Sequence, residues 1–133
     1  MIWEIERGLD MTGREVHFAS KRRSAWYQYL LTVFDRYDYL ILPSAQVFPF
    51  DAETHWPREI GGRTMDTYHR WMEVVVPASM AGLPVAAMPA GFGPNGLPAG
   101  IQIIGRPRAD KAVLEIALGY EAATDWLDMR PRL

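Results

Sequence analysis

Two short apolar runs, separated by a turn rich in glycine and proline, constrain the fold of this chain more than any other feature. The runs are Val85–Pro89 and Ala99–Ile104, and the turn between them is Gly91–Gly96. Asn95 followed by Gly96 is a strong signal for a hairpin turn, because both residues tolerate the backbone conformations that such turns require. The pattern therefore predicts a β-hairpin.

A long amphipathic helix is predicted over residues 13–36. Thr12 and Glu15 have the S/T-x-x-E spacing of a capping box, in which the two side chains satisfy free backbone N–H groups at the helix start. Apolar residues then recur at steps of three and four, and the basic run Lys21–Arg23 falls mainly on the solvent side.

A buried strand and a long loop are predicted next. Tyr39–Leu42 is a continuous apolar run closed by Pro43, which favours a short strand buried on both faces. Residues 43–63 contain three prolines and two glycines with little periodicity. They predict a loop of about 20 residues, and loops of that length are usually functional or mobile.

A second helix is predicted over residues 66–81. Pro77 is expected to kink or divide it, because proline cannot donate the backbone hydrogen bond of a helix interior. Gly82 is expected to end it, since glycine readily enters the left-handed region. By propensity alone, Val74–Val76 also fits a strand.

A third helix is predicted over about residues 111–126, with Asp110 as its cap. Its inner face is assigned to Val113, Leu114, Ile116, Ala117, Tyr120, Ala123 and Leu127. The order is then long helix, strand, loop, helix, β-hairpin and helix. This order predicts an α/β fold.

Composition excludes several classes of protein. The chain has 133 residues, which suits one domain, with a net charge of −2 and a pI near 5.9. It lacks the basic footprint of a nucleic-acid binder, so no nucleic-acid partner is expected. It has no cysteine and no apolar run of about 20 residues, so neither disulfides nor a membrane partner are expected. The acidic first residues do not resemble a signal peptide, and we expect a cytoplasmic location.

Motifs for cofactors and metals are weak. Gly91–Gly96 matches G-x-G-x-x-G, but it leads into a strand instead of the helix N-terminus that would hold a pyrophosphate. His17, His55 and His69 form no recognised zinc spacing. We therefore expect no cofactor and no metal site.

Nucleophile–base pairs cannot be assembled from the residues alone. The chain has four serines, and none lies in a G-x-S-x-G elbow. Its two lysines, Lys21 and Lys111, fall at positions that favour solvation over the burial that makes a lysine basic. The residues by themselves predict no catalytic group.

The hairpin region is recognisable as a family pattern. Ser79–Gly91 reads SMAGLPVAAMPAG and Gly96–Gly105 reads GLPAGIQIIG. This resembles the carboxy-terminal part of the amidase signature family, with its (N/S)-x-x-G-x-P helix end and G-L-P-x-G-x-Q-x-x-G strand. Tyr37–Ser44 is similar to the family's Y-D-x-x-(L/I)-x-P-(T/S) strand, and the resemblance covers nearly all of residues 5–130. The apolar runs Val85–Met88 and Ile101–Ile104 suit interior strands of the large mixed sheet that such a fold implies.

The resemblance implies amide (C–N bond) hydrolysis by serine acyl transfer, with two serines and a lysine as the catalytic groups. The chain contains no Ser-Ser-Gly-Gly-like segment, so these groups are carried over to no position here. Residues 1–133 are expected to be a C-terminal fragment that serves as scaffold and partial substrate-pocket wall and is inactive alone. The resemblance assigns to that wall the loop after Pro43, with Ser44, and the helix face around Trp71 and Met72. Relatives that act on aminoacylated tRNA carry an acidic residue near position 72, so methionine there favours an apolar small-molecule amide.

Two further expectations follow. A fragment with unpaired interior strands would expose apolar surface and sheet edges, so we expect a homo-oligomer. The rival interpretation is a self-standing, non-catalytic binding or oligomerisation module derived from the amidase family.

Overall fold

The first unit of the chain, Met1–Arg36, is helical in the computed structural model, which describes residues 2–126 and 128–131. Helix α1 spans Ile2–Leu9 and helix α2 spans Gly13–Phe34. The long helix is confirmed and ends two residues earlier than predicted. Helix α1 was not predicted, because its eight residues were considered only as a possible signal peptide.

The capping box at the start of α2 is confirmed. The Thr12 hydroxyl accepts a hydrogen bond from the Glu15 N–H at 3.3 Å, and the Glu15 carboxylate accepts one from the Thr12 N–H at 2.8 Å. The backbone N–H and the hydroxyl of Thr12 hold the pKa of Glu15 below its usual value.

The second unit, Tyr37–Leu133, contains the sheets. Its elements in chain order are β1 (Leu40–Pro43), β2 (Glu59–Ile60), β3 (Arg63–Thr64), α3 (Tyr68–Trp71), α4 (Val76–Ala81), β4 (Val85–Phe92), β5 (Pro98–Ile104) and α5 (Asp110–Ala122). Strands β1, β5 and β4 form an antiparallel sheet in that order, so β5 is central. The α/β class and the order of elements are confirmed.

The expectation that residues 39–42 are buried on both faces is wrong for this structure. Leu40 is half-buried, but Ile41 is 61% exposed and Leu42 is also exposed. In the described residues β1 pairs with β5 alone, so it lies at the edge of the three-stranded sheet. Strand β4 is likewise an edge strand, and only β5 has the predicted interior position.

The hairpin between β4 and β5 is confirmed, with a turn that differs in detail. The Gly96 N–H donates to the Gly93 carbonyl at 2.9 Å, which makes Pro94 and Asn95 the two central residues. Gly96 follows with φ of +73°, a conformation that favours glycine. The G-x-G-x-x-G motif therefore joins two strands, as its context predicted.

The predicted helix over residues 66–81 is divided near its middle. Helix α3 ends at Trp71 and α4 begins at Val76, so Pro77 lies in the first turn of a new helix, where its missing N–H costs little. Gly82 ends α4 with φ of +64°, as predicted. The predicted loop is shorter than 43–63, because residues 59–64 form the small β2–β3 hairpin.

Helix α5 packs on the sheet through a narrower stripe than predicted. Val113 and Ala117 are buried, whereas Leu114 is 67% exposed and Ile116 is also exposed. Asp110 does not cap the helix: Ala109 occupies the N-cap position, without a side-chain hydrogen bond. Ala123 follows the helix and is exposed, and Leu127 lies outside the described residues.

The core of the second unit lies around the end of β5. Gln102, Ile103 and Ile104 are buried in succession, and Gly105 follows them. A Cβ at Gly105 would lie 2.3 Å from a methyl carbon of Val113, so glycine there lets α5 approach the sheet closely.

Candidate functional site

A cleft of about 360 Å³ opens beside the start of β5. The segment that follows β1 forms most of its lining, and the end of α3 and the start of β5 complete it. The lining residues are Pro43, Ser44, Ala45, Gln46, Val47, Phe48, Pro49, Phe50, Trp71, Pro98, Ala99 and Gly100. Most of these side chains are apolar and uncharged, so the cleft suits a neutral, apolar ligand.

Three aromatic side chains dominate this lining, and we call Phe48, Phe50 and Trp71 the aromatic wall. The rings of Phe50 and Trp71 meet edge to face, with centroids 5.7 Å apart and planes at 83°. Tyr68 contacts the Trp71 ring in the same manner at 5.8 Å. Edge-to-face contacts of this kind are favourable and fix ring orientation. Phe48 and Phe50 remain 53% and 39% exposed, so much of their surface is open to a ligand.

We call the part of the cleft lining where Ser44 meets β5 the floor. The Ser44 N–H donates to the Gly100 carbonyl at 2.9 Å. A Cβ on Gly100 would lie 2.6 Å from the Ser44 hydroxyl oxygen and 3.1 Å from the Met88 carbonyl. Glycine at position 100 therefore lets the two segments approach each other, which places the Ser44 hydroxyl at the floor.

Two glutamines hold the segment after β1 in place. The Gln46 side-chain amide donates to the Arg70 carbonyl at 2.9 Å and also to the Trp71 carbonyl. The buried Gln102 amide donates to the Pro43 carbonyl and to the Val74 carbonyl, both at 2.9 Å. Each amide thus joins backbone segments that are far apart in the chain.

The polar groups of the cleft are few. Most of the Gln46 donor capacity is used by backbone carbonyls, which leaves the Ser44 hydroxyl as the polar side-chain group at the floor. The Trp71 indole N–H is buried and has no hydrogen-bond partner in the described structure. An unpaired buried donor costs free energy.

An ion-pair network supports the α3 side of the cleft. Arg70 contacts Asp66 at 2.7 Å and Glu73 at 3.0 Å. The Arg70 guanidinium donates to Asp66 and lowers the pKa of that carboxyl, and the same contact raises the pKa of Arg70. Asp66 is exposed and Arg70 and Glu73 are only half-buried, so solvent screens the network and it orients α3 more than it stabilises the fold.

The structure brings together two of the three residues predicted for the substrate wall. Ser44 and Trp71 line the cleft at its floor and its wall. Met72 lies outside the lining, as the residue that ends α3. The loop after Pro43 was assigned to the wall as a segment, but Gln46, Phe48 and Phe50 were not singled out within it, and Gly100 was missed. Only Gly100 carried a signal, because glycine inside a strand often marks a close approach of another backbone.

Two further serine hydroxyls and one lysine are engaged within their own helices. The Ser24 and Ser79 hydroxyls donate to backbone carbonyls of their own helices. Lys111 is exposed and pairs with Glu115 on α5.

Within residues 2–126 and 128–131, no group of three histidine, cysteine or acidic side chains could hold a metal ion. Nor does any helix among those residues have the length and apolar character needed to cross a bilayer.

Curated proteins similar to this chain are subunits A of glutamyl-tRNA(Gln) amidotransferases. The protein from Dehalococcoides mccartyi strain CBDB1 is 38% identical over 117 residues, which are 86% of this chain and 22% of the relative. The protein from Symbiobacterium thermophilum is 38% identical over 102 residues, which are 75% of this chain and 19% of the relative. The chain thus spans about a fifth of the length of these relatives.

Solved structures of similar fold include a bacterial aryl acylamidase of the amidase signature enzymes. It has a TM-score of 0.81 and 29% identity, over 93% of this chain and 26% of that one. A second amidase has a TM-score of 0.78 and 25% identity, over 88% of this chain and 26% of that one. The described fold therefore corresponds to about a quarter of these enzymes.

The sequence model of the Amidase family matches residues 3–114. This match covers both helical and sheet elements, and it includes Ser44, Trp71 and the β4–β5 hairpin. Together with the relatives and the similar structures, it shows that this chain belongs to the amidase signature family.

Proposed function

We propose that this chain is the C-terminal scaffold and part of the substrate-pocket wall of an amide hydrolase that uses serine acyl transfer. The catalytic Ser-Ser-Lys group lies outside these 133 residues in this proposal. The observation that carries it is an apolar cleft, walled by Phe48, Phe50 and Trp71, in a family member that spans about a quarter of known amidases.

The substrate class in this proposal is a neutral amide with an aryl group. The aromatic wall offers ring surface for stacking, and the cleft lining carries no charged side chain. Similarity to an aryl acylamidase supports this class. In this proposal the aryl ring lies against Phe50 and Trp71, and the Ser44 hydroxyl, which also lines the cleft, is available to the amide group.

Met72 belongs to the proposal as the neighbour of the aromatic wall. Its side chain is uncharged and half-buried, directly after Trp71. A carboxylate there would attract a cationic amino group, so methionine favours substrates without one. The curated relatives are subunits A of glutamyl-tRNA(Gln) amidotransferases, so substrates with and without a cationic amino group need to be compared directly.

A matched pair of ligands tests the cleft. Acetanilide and glycinanilide differ by one amino group, which is cationic at neutral pH. We expect acetanilide to shift the NMR signals of Trp71 and Ser44 and to bind at least fivefold more tightly than glycinanilide. Met72→Asp should reverse that preference, and Met129→Asp, at an exposed position, serves as its control. Absence of acetanilide binding, or an unchanged preference in Met72→Asp, would contradict the proposed substrate class.

A hydrolysis assay and the reading frame test the catalytic part of the proposal. The chain alone should not release aniline from acetanilide, and turnover through Ser44 or another of its serines would overturn the proposal.

Reading the genomic frame upstream of Met1 should reveal a continuous frame with a Ser/Gly-rich segment. A start signal and a stop codon just upstream would favour the alternative, a self-standing binding or oligomerisation module.

Homo-oligomer formation is a further part of the proposal. In the described residues β1 and β4 each pair with β5 alone, so the outer edge of each strand presents unpaired backbone groups. Ile41 on β1 and Val85 on β4 add exposed apolar surface at these edges. Light scattering should therefore give a mass above that of one chain, and a monomer at high concentration would contradict this.

A cytoplasmic location is also part of the proposal, in keeping with a chain without cysteine.

A further inference from the structure

We propose that the β4–β5 turn positions the aromatic wall of the cleft, with Asn95 as the positioning residue. This inference rests on the proposed function, because it assigns a role within the same substrate cleft. Its starting point is a contact between the turn and the segment after β1, 46 residues apart in the chain.

The Asn95 side chain joins the turn to the wall. Its amide nitrogen donates to the Pro49 carbonyl at 2.9 Å, and its amide oxygen accepts from the Leu97 N–H at 3.2 Å. Pro49 lies between Phe48 and Phe50, so this hydrogen bond fixes the backbone between two residues of the aromatic wall.

Gly93 makes a second contact between the same two segments. A Cβ at Gly93 would lie 2.5 Å from a ring carbon of Phe48, so the Phe48 ring packs directly on the Gly93 backbone. The Gly93 N–H donates to the Leu97 carbonyl at 2.8 Å, which keeps that backbone in the turn. A glycine without a Cβ is therefore required for Phe48 to lie where it does.

Three separate contacts hold different parts of the segment after β1. Gln46 holds the N-terminal end of the segment against α3, and Asn95 holds Pro49 against the β4–β5 turn. Ser44 at the floor is held separately, by its hydrogen bond to Gly100. Loss of the Asn95 contact should therefore loosen Phe48 and Phe50 and leave the floor in place.

Asn95→Asp separates positioning from turn formation. Aspartate keeps the oxygen that accepts from the Leu97 N–H and loses the nitrogen that donates to Pro49. Asn95→Ala loses both contacts, and Pro94→Ala changes an exposed residue of the same turn without touching either. The probes are acetanilide, whose ring requires the wall, and propionamide, which is small enough for the floor alone.

We expect Asn95→Asp to weaken acetanilide binding about two- to threefold, the lower end for one lost hydrogen bond, because Asn95 is exposed and water replaces part of the contact. Propionamide binding and the melting temperature should stay within error, and Pro94→Ala should match the wild type. Equal losses for both probes would indicate general destabilisation and overturn the positioning role, as would an unchanged affinity for acetanilide.

A ligand-free measurement keeps this inference separate from the proposed function. The Phe48 ring should shift the Gly93 Hα signals upfield, and Asn95→Asp should move them toward ordinary glycine values. If the wild type binds no acetanilide, the proposed function fails, and the Gly93 signals alone then decide the positioning role. Gly93 signals that do not change in Asn95→Asp would overturn it.

Discussion

The core at the end of β5 and the aromatic wall of the cleft are held together in different ways. Ile103 is 1% exposed and lies in a run of buried residues, so burial of apolar surface holds the core. Phe48 and Phe50 lie in an irregular segment and remain substantially exposed. Hydrogen bonds from side-chain amides hold that segment in place. Gln46, within the segment, donates to the Arg70 carbonyl, and Asn95, in the β4–β5 turn, donates to the Pro49 carbonyl of the segment.

The difference separates stability from recognition in this unit. Core residues each contribute several kcal/mol through burial, whereas a single amide hydrogen bond contributes about 1 kcal/mol. A change in the wall can therefore alter what the cleft binds without unfolding the chain. The substitutions below, ordered from the largest expected effect to the smallest, test whether the core mainly determines stability and the wall mainly determines ligand binding.

The largest effect is expected from a cavity in the core. Ile103→Ala should lower the free energy of unfolding by about 3 kcal/mol, because it removes buried methylene and methyl groups from packed surroundings. Urea denaturation measures this change. Ile41→Ala is the matched control, since Ile41 is exposed at a sheet edge and should lose about 1 kcal/mol or less. Similar losses for the two variants would contradict the assignment of the core.

The second-largest loss of stability is expected at Gln102, which links the core to the cleft. Gln102 is 4% exposed and donates to the Pro43 and Val74 carbonyls, and Gln102→Met would leave both carbonyls without this donor. We expect a loss of about 2 kcal/mol in the free energy of unfolding. Gln28→Met is its control, because Gln28 lies exposed on α2 and should change stability by less than about 0.5 kcal/mol. A loss below about 1 kcal/mol for Gln102→Met would show that these hydrogen bonds do not hold the floor.

Local sequence signals predicted where the helices and turns of this fold lie more accurately than they predicted which side chains are buried. The capping box at Thr12 and the turn signal at Asn95–Gly96 act within a few residues, and both were confirmed. The burial of Ile41 and Leu114 depends on which elements cover them, and periodicity does not contain that information.

The candidate site was predictable only in part, for the same reason. Trp71 and Ser44 were assigned through the family resemblance, and both line the cleft. Phe48 was not singled out within the loop assigned to the wall, because the segment after Pro43 has no periodicity. The contact of Asn95 with Pro49 spans 46 residues, and no pattern in either segment signals it.

The third prediction compares the wall directly with the core. Gln46→Met removes the donor to the Arg70 and Trp71 carbonyls, at a half-buried position where water can replace part of the loss. We expect about 1 kcal/mol of lost stability, and a loss of acetanilide affinity of about fivefold. Gln102→Met provides the contrast, with the larger loss of stability. If Gln46→Met costs as much stability as Gln102→Met, the wall and the core are one cooperative region.

The smallest effect concerns the charges that orient α3 beneath Trp71. Arg70 lowers the pKa of Asp66, so the ion pair contributes above pH about 3.9, where a free aspartate is ionised, and is lost as the pH falls through the depressed pKa. At pH 7, Asp66→Asn should weaken acetanilide binding less than twofold, because the pair is exposed. That difference should vanish when wild type and variant are compared below the depressed pKa, and also in 1 M salt, which screens exposed charges. Asp125→Asn, at an exposed site after α5, should show neither dependence. A difference that persists at low pH would mean that Asp66 supports the wall through its shape or hydrogen bonding instead of its charge.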